Sequence, residues 1–241
     1  MGAAKCSDKY AINIFPCSDA FVLKLSSDGK RTIYATWLGG TLSETPWDIA
    51  VGADGSAYIV GETTSEDFPV TPGAGQPAPG GTVNLGPLSF GDGFAARLDP
   101  AGQRLIYGTY LGGKGGDALL AIAIDPNSGN AFVAGKTEDA NTQMMPGART
   151  DAMFAILSAT GTLIRKARVG NPETPEWGIS ASISPDGHYF SGLYLSNEVL
   201  ELSPETLEPI RRANLRTATA PAIFALPGGL VEVAATCFRS A

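Results

Sequence analysis

Short apolar segments alternate with polar turns along almost the whole chain. In the first clear case an apolar segment, residues 20–25, is followed by a polar turn containing Gly29 and a second apolar segment, residues 33–38. An apolar strand, a turn with glycine and a second strand are typical of a β-hairpin. The pattern recurs three times, most weakly in the last copy, and the four copies begin at Asp19, Asp92, Asp151 and Asn197.

A second type of hairpin lies between these copies. Its strands are apolar with small residues, and its turns carry Asp-Gly or Gly-Gly pairs, which adopt positive φ at low cost. The first strands of its four copies lie near residues 47–51, 122–124, 180–183 and 221–225. The chain therefore contains one hairpin of the first type, three four-stranded repeats and one hairpin of the second type.

This order of hairpins predicts an all-β fold, a β-propeller whose blades each contain four antiparallel strands. Sixteen strands predict four blades, in which the N-terminal and C-terminal hairpins form the two halves of one split blade. Five blades, or part of a larger propeller, are the alternative. We predict a single domain over residues 19–241 with a Pro- and Gly-rich surface insert at 69–91. Residues 1–18 are left over, and they could be an extra edge strand or the remnant of a further blade.

Composition and charge exclude several classes of structure and partner. The 30 Gly and 17 Pro among 241 residues exclude long helices, because both residue types interrupt them. The formal net charge of −7, without a run of basic residues, argues against a nucleic-acid partner. No apolar stretch reaches the roughly 18 residues of a transmembrane helix, and no signal peptide is recognisable. We therefore expect no membrane insertion.

Several segments resemble a known repeat. The run from Asp19 to Leu25, the Leu-Gly-Gly40 ending and the run from Ala57 to Pro69 are similar to bacterial SBBP-type β-propeller repeats. The resemblance is strong over about residues 19–72 and 92–137, and it fades over 151–241. It implies a propeller from a secreted or cell-surface bacterial protein, in a family without a shared catalytic motif.

Loops on one face of a propeller are the usual place for a binding site. On that face two tryptophans could stack against a sugar ring while carboxylates bond its hydroxyls. Alternatively, the tryptophans only plug the mouth of the core. The predicted ligand-binding residues are Glu44, Trp47, Asp48, Glu62, Asp67, Asp117, Glu176 and Trp177.

Asp19, Asp92 and Asp151 stand at the same place in successive repeats. They could be metal ligands, but a carboxylate before a strand more often accepts backbone N–H groups. An active site is needed once and not in every blade. We therefore predict no metal, no cofactor and no catalytic residue here.

Cys6, Cys17 and Cys237 are the three cysteines of the chain. Cys237 ends the last predicted strand and Cys17 precedes the first, so closure of the split blade would bring them together. With the oxidising compartment that the resemblance implies, we predict a Cys17–Cys237 disulfide. A local Cys6–Cys17 bridge and three reduced thiols are the alternatives.

The function expected from these patterns is non-enzymatic binding or interaction, in adhesion or assembly, outside the cell or on its envelope. The expected partner is a protein or a glycan, and self-assembly through an N-terminal strand is a variant. The alternative is a carbohydrate-active hydrolase or lyase that uses the rim carboxylates.

Overall fold

The computed structural model describes residues 18–81, 83–85, 88–138, 150–170, 174–215, 218–229 and 231–237. The predicted N-terminal strand and Cys6 and Cys17 lie outside these ranges, so the predicted disulfide stays a prediction. Among the described residues, no helix has the length and apolar character needed to cross a membrane.

The described residues form strands joined by turns, with one short 3-10 turn at Pro227–Gly229. The strands are β1 Ala20–Leu25, β2 Thr32–Leu38, β3 Glu44–Val51, β4 Ala57–Thr63, β5 Val83–Leu85, β6 Leu88–Phe90, β7 Asp92–Leu98, β8 Leu105–Leu111, β9 Ala118–Ile124, β10 Ala131–Glu138, β11 Thr150–Leu157, β12 Leu163–Val169, β13 Trp177–Gly178, β14 Ser182–Ile183, β15 Tyr189–Tyr194, β16 Glu198–Leu202, β17 Pro209–Asn214, β18 Ala218–Ala225 and β19 Val231–Cys237.

These strands form antiparallel sheets in the predicted order. We call β3-β4-β7-β8 unit 1, β9-β10-β11-β12 unit 2, and the sheet of β13 to β17 unit 3. In unit 3 the innermost strand is broken into β13 and β14, and both pieces pair with β15. The fold is all-β, contains several four-stranded sheets, and is consistent with a β-propeller-like arrangement.

The two hairpins at the ends of the repeat form separate two-stranded sheets, β1-β2 and β18-β19, within the described residues. Hairpin β1-β2 packs on unit 1, and β18 packs on β14 and β15 of unit 3. The predicted split blade would require β19 to pair with β1, so ring closure stays a proposal.

The cores lie between successive units, because each sheet is apolar on both faces. One cluster joins unit 1 to unit 2 through Tyr58, Tyr107 and Leu157. Another joins unit 2 to unit 3 through Phe154 and Leu200. Alternation along each strand sends neighbouring side chains to opposite interfaces, which is why these strands read as almost continuously apolar.

The first half of the Pro- and Gly-rich insert is bonded to the sheet of unit 1 and is not a free loop. Thr71 N donates to Gly108 O, and Tyr110 N donates to Gln76 O, so the segment lies along edge strand β8. The Gln76 side chain also accepts from Gly112 N at 3.0 Å. The insert thereby covers an edge that would otherwise be open to strand pairing.

Candidate functional site

A cavity of about 980 Å³ lies where the inner strands of the three units and β18 approach one another. Its apolar lining includes Leu120, Ile179 and Ile223. Its remaining lining includes three aromatic and three charged side chains, namely Trp47, Trp177, Tyr194, Asp48, Glu62 and Lys136. We call this space the axial cavity.

Irregularities of the inner strands form the axial cavity. The pairing of β3 with β4 shifts between Pro46 and Asp48, so Trp47 is the extra residue of a β-bulge. The pairing of β9 with β10 shifts at the equivalent place, where Leu120 is left over. In unit 3 the inner strand is interrupted at residues 179–181. Bulges re-aim side chains, and here the displaced residues line the cavity.

One wall of the cavity is aromatic. The rings of Trp177 and Tyr194 lie 5.5 Å apart at an angle of 35°. The Lys136 ammonium is 5.5 Å from the centre of the Trp177 ring, within the range of a cation–π interaction. Trp47, from the bulge, is 54% exposed. The Trp177 indole nitrogen is buried without a hydrogen-bond partner among the described residues, so this donor is unsatisfied in the structure.

Glu62 and Lys136 occupy the same position in units 1 and 2, next to Gly61 and Gly135. Burial raises the pKa of Glu62, while Lys136 and a hydrogen bond from Trp47 act in the opposite direction. Lys136 Nζ also lies 3.0 Å from Glu138 Oε1. The cavity therefore holds carboxylates and an ammonium group that can donate to and accept from a polar ligand.

Asp48 has a structural function beside its place in the lining. Its Oδ1 accepts from Ile49 N at 2.8 Å, and its Oδ2 accepts from Ile122 N at 2.9 Å. The second bond ties the inner strand of unit 1 to that of unit 2. With an oxygen engaged on each side, this carboxylate is better suited to fix the wall of the cavity than to move a proton.

The structure brings four of the predicted ligand-binding residues to this cavity, Trp47, Asp48, Glu62 and Trp177. It places Glu44, Asp117 and Glu176 elsewhere, buried at the start of the inner strands. Asp67 is exposed and binds the Thr41 amide at 2.7 Å and the Thr41 hydroxyl at 2.9 Å. Sequence reasoning missed Lys136 and Tyr194. Aligning the repeats on their strand-end glycines would have placed Lys136 beside Glu62.

The buried acids come in pairs that hold the Gly-Gly loops of the repeat. Asp117 Oδ2 accepts from Gly113 N at 2.7 Å, and Asp92 accepts from Gly80 N. A Cβ on Gly112 would overlap both carboxylates, so only glycine fits between them. Glu44 serves the equivalent loop, accepting from Gly40 N at 3.0 Å. These acids therefore hold the backbone of glycine-containing loops.

The Asp92–Asp117 pair predicts a pH dependence of stability. Burial, and then the adjacent Asp117, raise the pKa of Asp92 to about 7, against the effect of the Gly80 N–H group. Lys166, which donates to Gly112 O at 2.9 Å, is the cation beside the pair. Because the folded pKa is raised, stability falls as pH rises from about 4 to 7, where the unfolded chain has already lost this proton.

We expect Asp92→Asn to remove much of this dependence, because the amide imitates the protonated acid at every pH. Urea-unfolding midpoints between pH 5 and 8 should fall less in the variant than in the wild type. Asp28→Asn is the control. A hydrogen bond from Ser26 lowers the pKa of Asp28, so any contribution of Asp28 to the pH dependence of stability lies at acid pH. Equal slopes for wild type and Asp92→Asn between pH 5 and 8 would contradict the prediction.

No group of three or more His, Cys, Asp or Glu side chains within the described ranges is arranged to hold a metal ion. No family model and no curated protein matches the sequence. The chain is similar in fold to a hydrazine synthase structure from Kuenenia stuttgartiensis, with a TM-score of 0.59 and 12% identity over 91% of this chain. It is also similar to a protein of unknown function from Bacteroides caccae, with a TM-score of 0.51 and 14% identity over 90% of this chain.

At these identities the similarity concerns the fold alone. The chain spans 66% of the Kuenenia chain and 65% of the Bacteroides chain, which is slightly less than two thirds of each.

Proposed function

We propose that this protein is a non-enzymatic binding module that takes a glycan into the axial cavity. The observation that carries the proposal is the convergence of Trp47, Trp177 and Tyr194 with Glu62 and Lys136 on one concave, partly apolar space. Ligand sites combine an apolar and aromatic lining with a few polar groups that fix orientation. A sugar presents the matching chemistry, apolar ring faces and hydroxyls that both donate and accept.

The bonds that the carboxylates of the axial cavity already make favour binding over hydrolysis. Glycoside hydrolysis requires two carboxyl groups on opposite sides of the scissile bond. In the axial cavity the Asp48 oxygens accept backbone N–H groups, and Glu62 is bonded to the Trp47 indole beside Lys136. Each carboxylate thus has a positioning partner, and the alternative of a hydrolase or lyase becomes an outcome of the test below.

We also propose that the sheets are propeller blades of the SBBP type, in a protein outside the cell or on its envelope. The two end hairpins would form the halves of one split blade, with β19 paired along β1. Within one chain this pairing gives a ring of four blades, and between chains it gives a larger ring. The two four-stranded sheets of units 1 and 2 and the sheet of unit 3, whose inner strand is broken in two, follow one another in repeat order and support the proposal.

Glycan-array screening followed by titration calorimetry tests the binding function. We expect Trp47→Ala to weaken binding of an array hit about tenfold, because an aromatic contact contributes roughly 0.5–1.5 kcal/mol and 1.4 kcal/mol is tenfold. Trp37→Ala is the matched control, since Trp37 is exposed in β2 and absent from the cavity lining. Equal losses in both variants, or cleavage of the bound glycan, would overturn the proposal.

A further inference from the structure

An apolar face of hairpin β1-β2 is open to solvent. Phe21, Leu23, Leu25 and Trp37 are each 45–49% exposed, and the Phe21 and Trp37 rings lie 5.0 Å apart. We call these four residues the seam face. A monomer rarely leaves a contiguous patch of this kind without a partner.

The same positions in the other units show what covers such a face. Phe21 is paired with Trp37 as Phe94 is paired with Tyr110, and Met153 stands at the same register in β11. Phe94 and Met153 are fully buried because the preceding sheet packs on them. Within the described ranges no sheet packs on the same surface of hairpin β1-β2, so the seam face is a blade-packing surface without a preceding sheet there.

A polar contact recurs at each blade-to-blade interface. Lys24 Nζ donates to Pro100 O at 3.1 Å, from hairpin β1-β2 to the turn of unit 1. Arg97 Nη1 donates to Ala159 O at 2.6 Å, from unit 1 to the turn of unit 2. In each case a basic side chain of one sheet binds the carbonyl of the β-turn that follows the third strand of the next sheet.

The third interface makes the same contact from a different strand. Ile156 replaces the basic residue of the third strand, and Arg165, its cross-strand neighbour, donates to Pro204 O at 2.6 Å. In unit 3, Arg211 is paired with Glu201 in the register that pairs Arg165 with Ile156. Arg211 is 68% exposed and lies 3.0 Å from Glu201 Oε2.

We propose that the seam face binds unit 3 of a second copy of this chain, with Arg211 of that copy donating to the carbonyl of Ser27. Ser27 occupies the place in the β1-β2 turn that Pro100, Ala159 and Pro204 occupy in the three units. The same step brings β19 of one copy to the edge of β1 in the other, where the described residues show pairing only with β2. The inference rests on the proposed propeller.

A second copy fits this seam better than the chain's own unit 3. In the structure hairpin β18-β19 packs on unit 3 while the seam face, at the other end of the series, stays exposed. Two copies joined head to tail at both seams would close a ring, since heterologous contacts generate rings where the rotation between copies closes.

Sedimentation equilibrium of the full chain tests the proposal. We expect a species of twice the 24.9 kDa chain mass. Leu23→Asp should raise the dissociation constant of this dimer at least tenfold, because it places a charge in the apolar contact. Ile164→Asp is the matched control, since Ile164 is similarly exposed on the outer strand of unit 2 and should leave the dimer intact. A monomer at every concentration would overturn the proposal.

Cysteine cross-linking separates a contact between copies from closure within one chain. In a background with the three native cysteines replaced by serine, Ser27→Cys and Arg211→Cys are prepared as single variants. Their mixture should give a disulfide-linked dimer, and neither variant alone should. A double variant that oxidises as a monomer would show closure within the chain and would overturn the proposal. The glycan affinity of the Leu23→Asp variant should equal that of the wild type. A failure of the assembly proposal is thereby distinguished from a failure of the proposed binding function.

Discussion

Replacing Gly135 by alanine is expected to lower the free energy of unfolding by about 3 kcal/mol, near the upper end of the cost of overpacking. Gly135 lies opposite the bulge of β9, and a Cβ there would overlap the carbonyl oxygen of Ala118. Because the clash is with backbone, the strand can relieve it only by giving up the bulge. That change would also move Leu120 in the axial cavity. Urea unfolding followed by circular dichroism measures the loss.

Gly113→Ala is the matched control for this substitution. Gly113 lies in a Gly-Gly loop, and a Cβ there would meet its nearest neighbours, on Asp117 and Thr137, at an ordinary 3.9 Å. We expect a change within about 0.5 kcal/mol, as for most substitutions away from special positions. A Gly135→Ala protein as stable as Gly113→Ala would contradict the close backbone approach at the bulge.

The second large effect is expected at Arg97, where alanine should cost about 2 kcal/mol of stability, through lost packing and a part-buried carbonyl that loses its donor. The Arg97 side chain is 12% exposed and lies 2.8 Å from Asp54 Oδ2. Its guanidinium lies 4.8 Å from the centre of the Tyr58 ring, and it also donates to Ala159 O in unit 2. Because Asp54 is itself half exposed, water replaces part of the interaction that its carboxylate loses with Arg97.

Arg104→Ala separates these contacts from the simple loss of a positive charge. Arg104 is 79% exposed and lies 3.9 Å from Asp99, a geometry that contributes little in water. Thermal unfolding of the two variants should therefore differ clearly, with Arg104→Ala close to the wild type. Similar midpoints for both variants would mean that the contact between units 1 and 2 does not depend on Arg97.

The arrangement of hairpins was predictable because it is local. Alternating apolar segments and the Asp-Gly turns place the strands, and Gly55 and Gly187 adopt the expected positive φ of 82° and 89°. The all-β fold with several four-stranded sheets is confirmed. The broken inner strand of unit 3 was not predicted, because residues 179–181 carry no Gly or Pro, and the break becomes apparent only from the pairing with β15.

The candidate site was predictable only in part. Trp47 and Trp177 stood out as large aromatic residues near strand ends, and the structure brings both to one cavity. The sequence does not show on which side of a strand an acid lies. For this reason the sequence groups Glu44, Asp117 and Glu176 with the cavity residues, whereas burial assigns all three to the scaffold, where Glu44 and Asp117 also bind the Gly-Gly loops.

The binding function of the axial cavity is tested most directly by the three indole N–H signals of the protein. In nitrogen-15 spectra of the intact chain, titration with a glycan from the array should shift the Trp47 and Trp177 signals in a saturable way. The Trp37 signal, assigned with Trp37→Phe, should stay in place because Trp37 lies in β2, outside the cavity lining. Saturable glycan binding that moves Trp37 and leaves Trp47 and Trp177 unchanged would contradict the axial site.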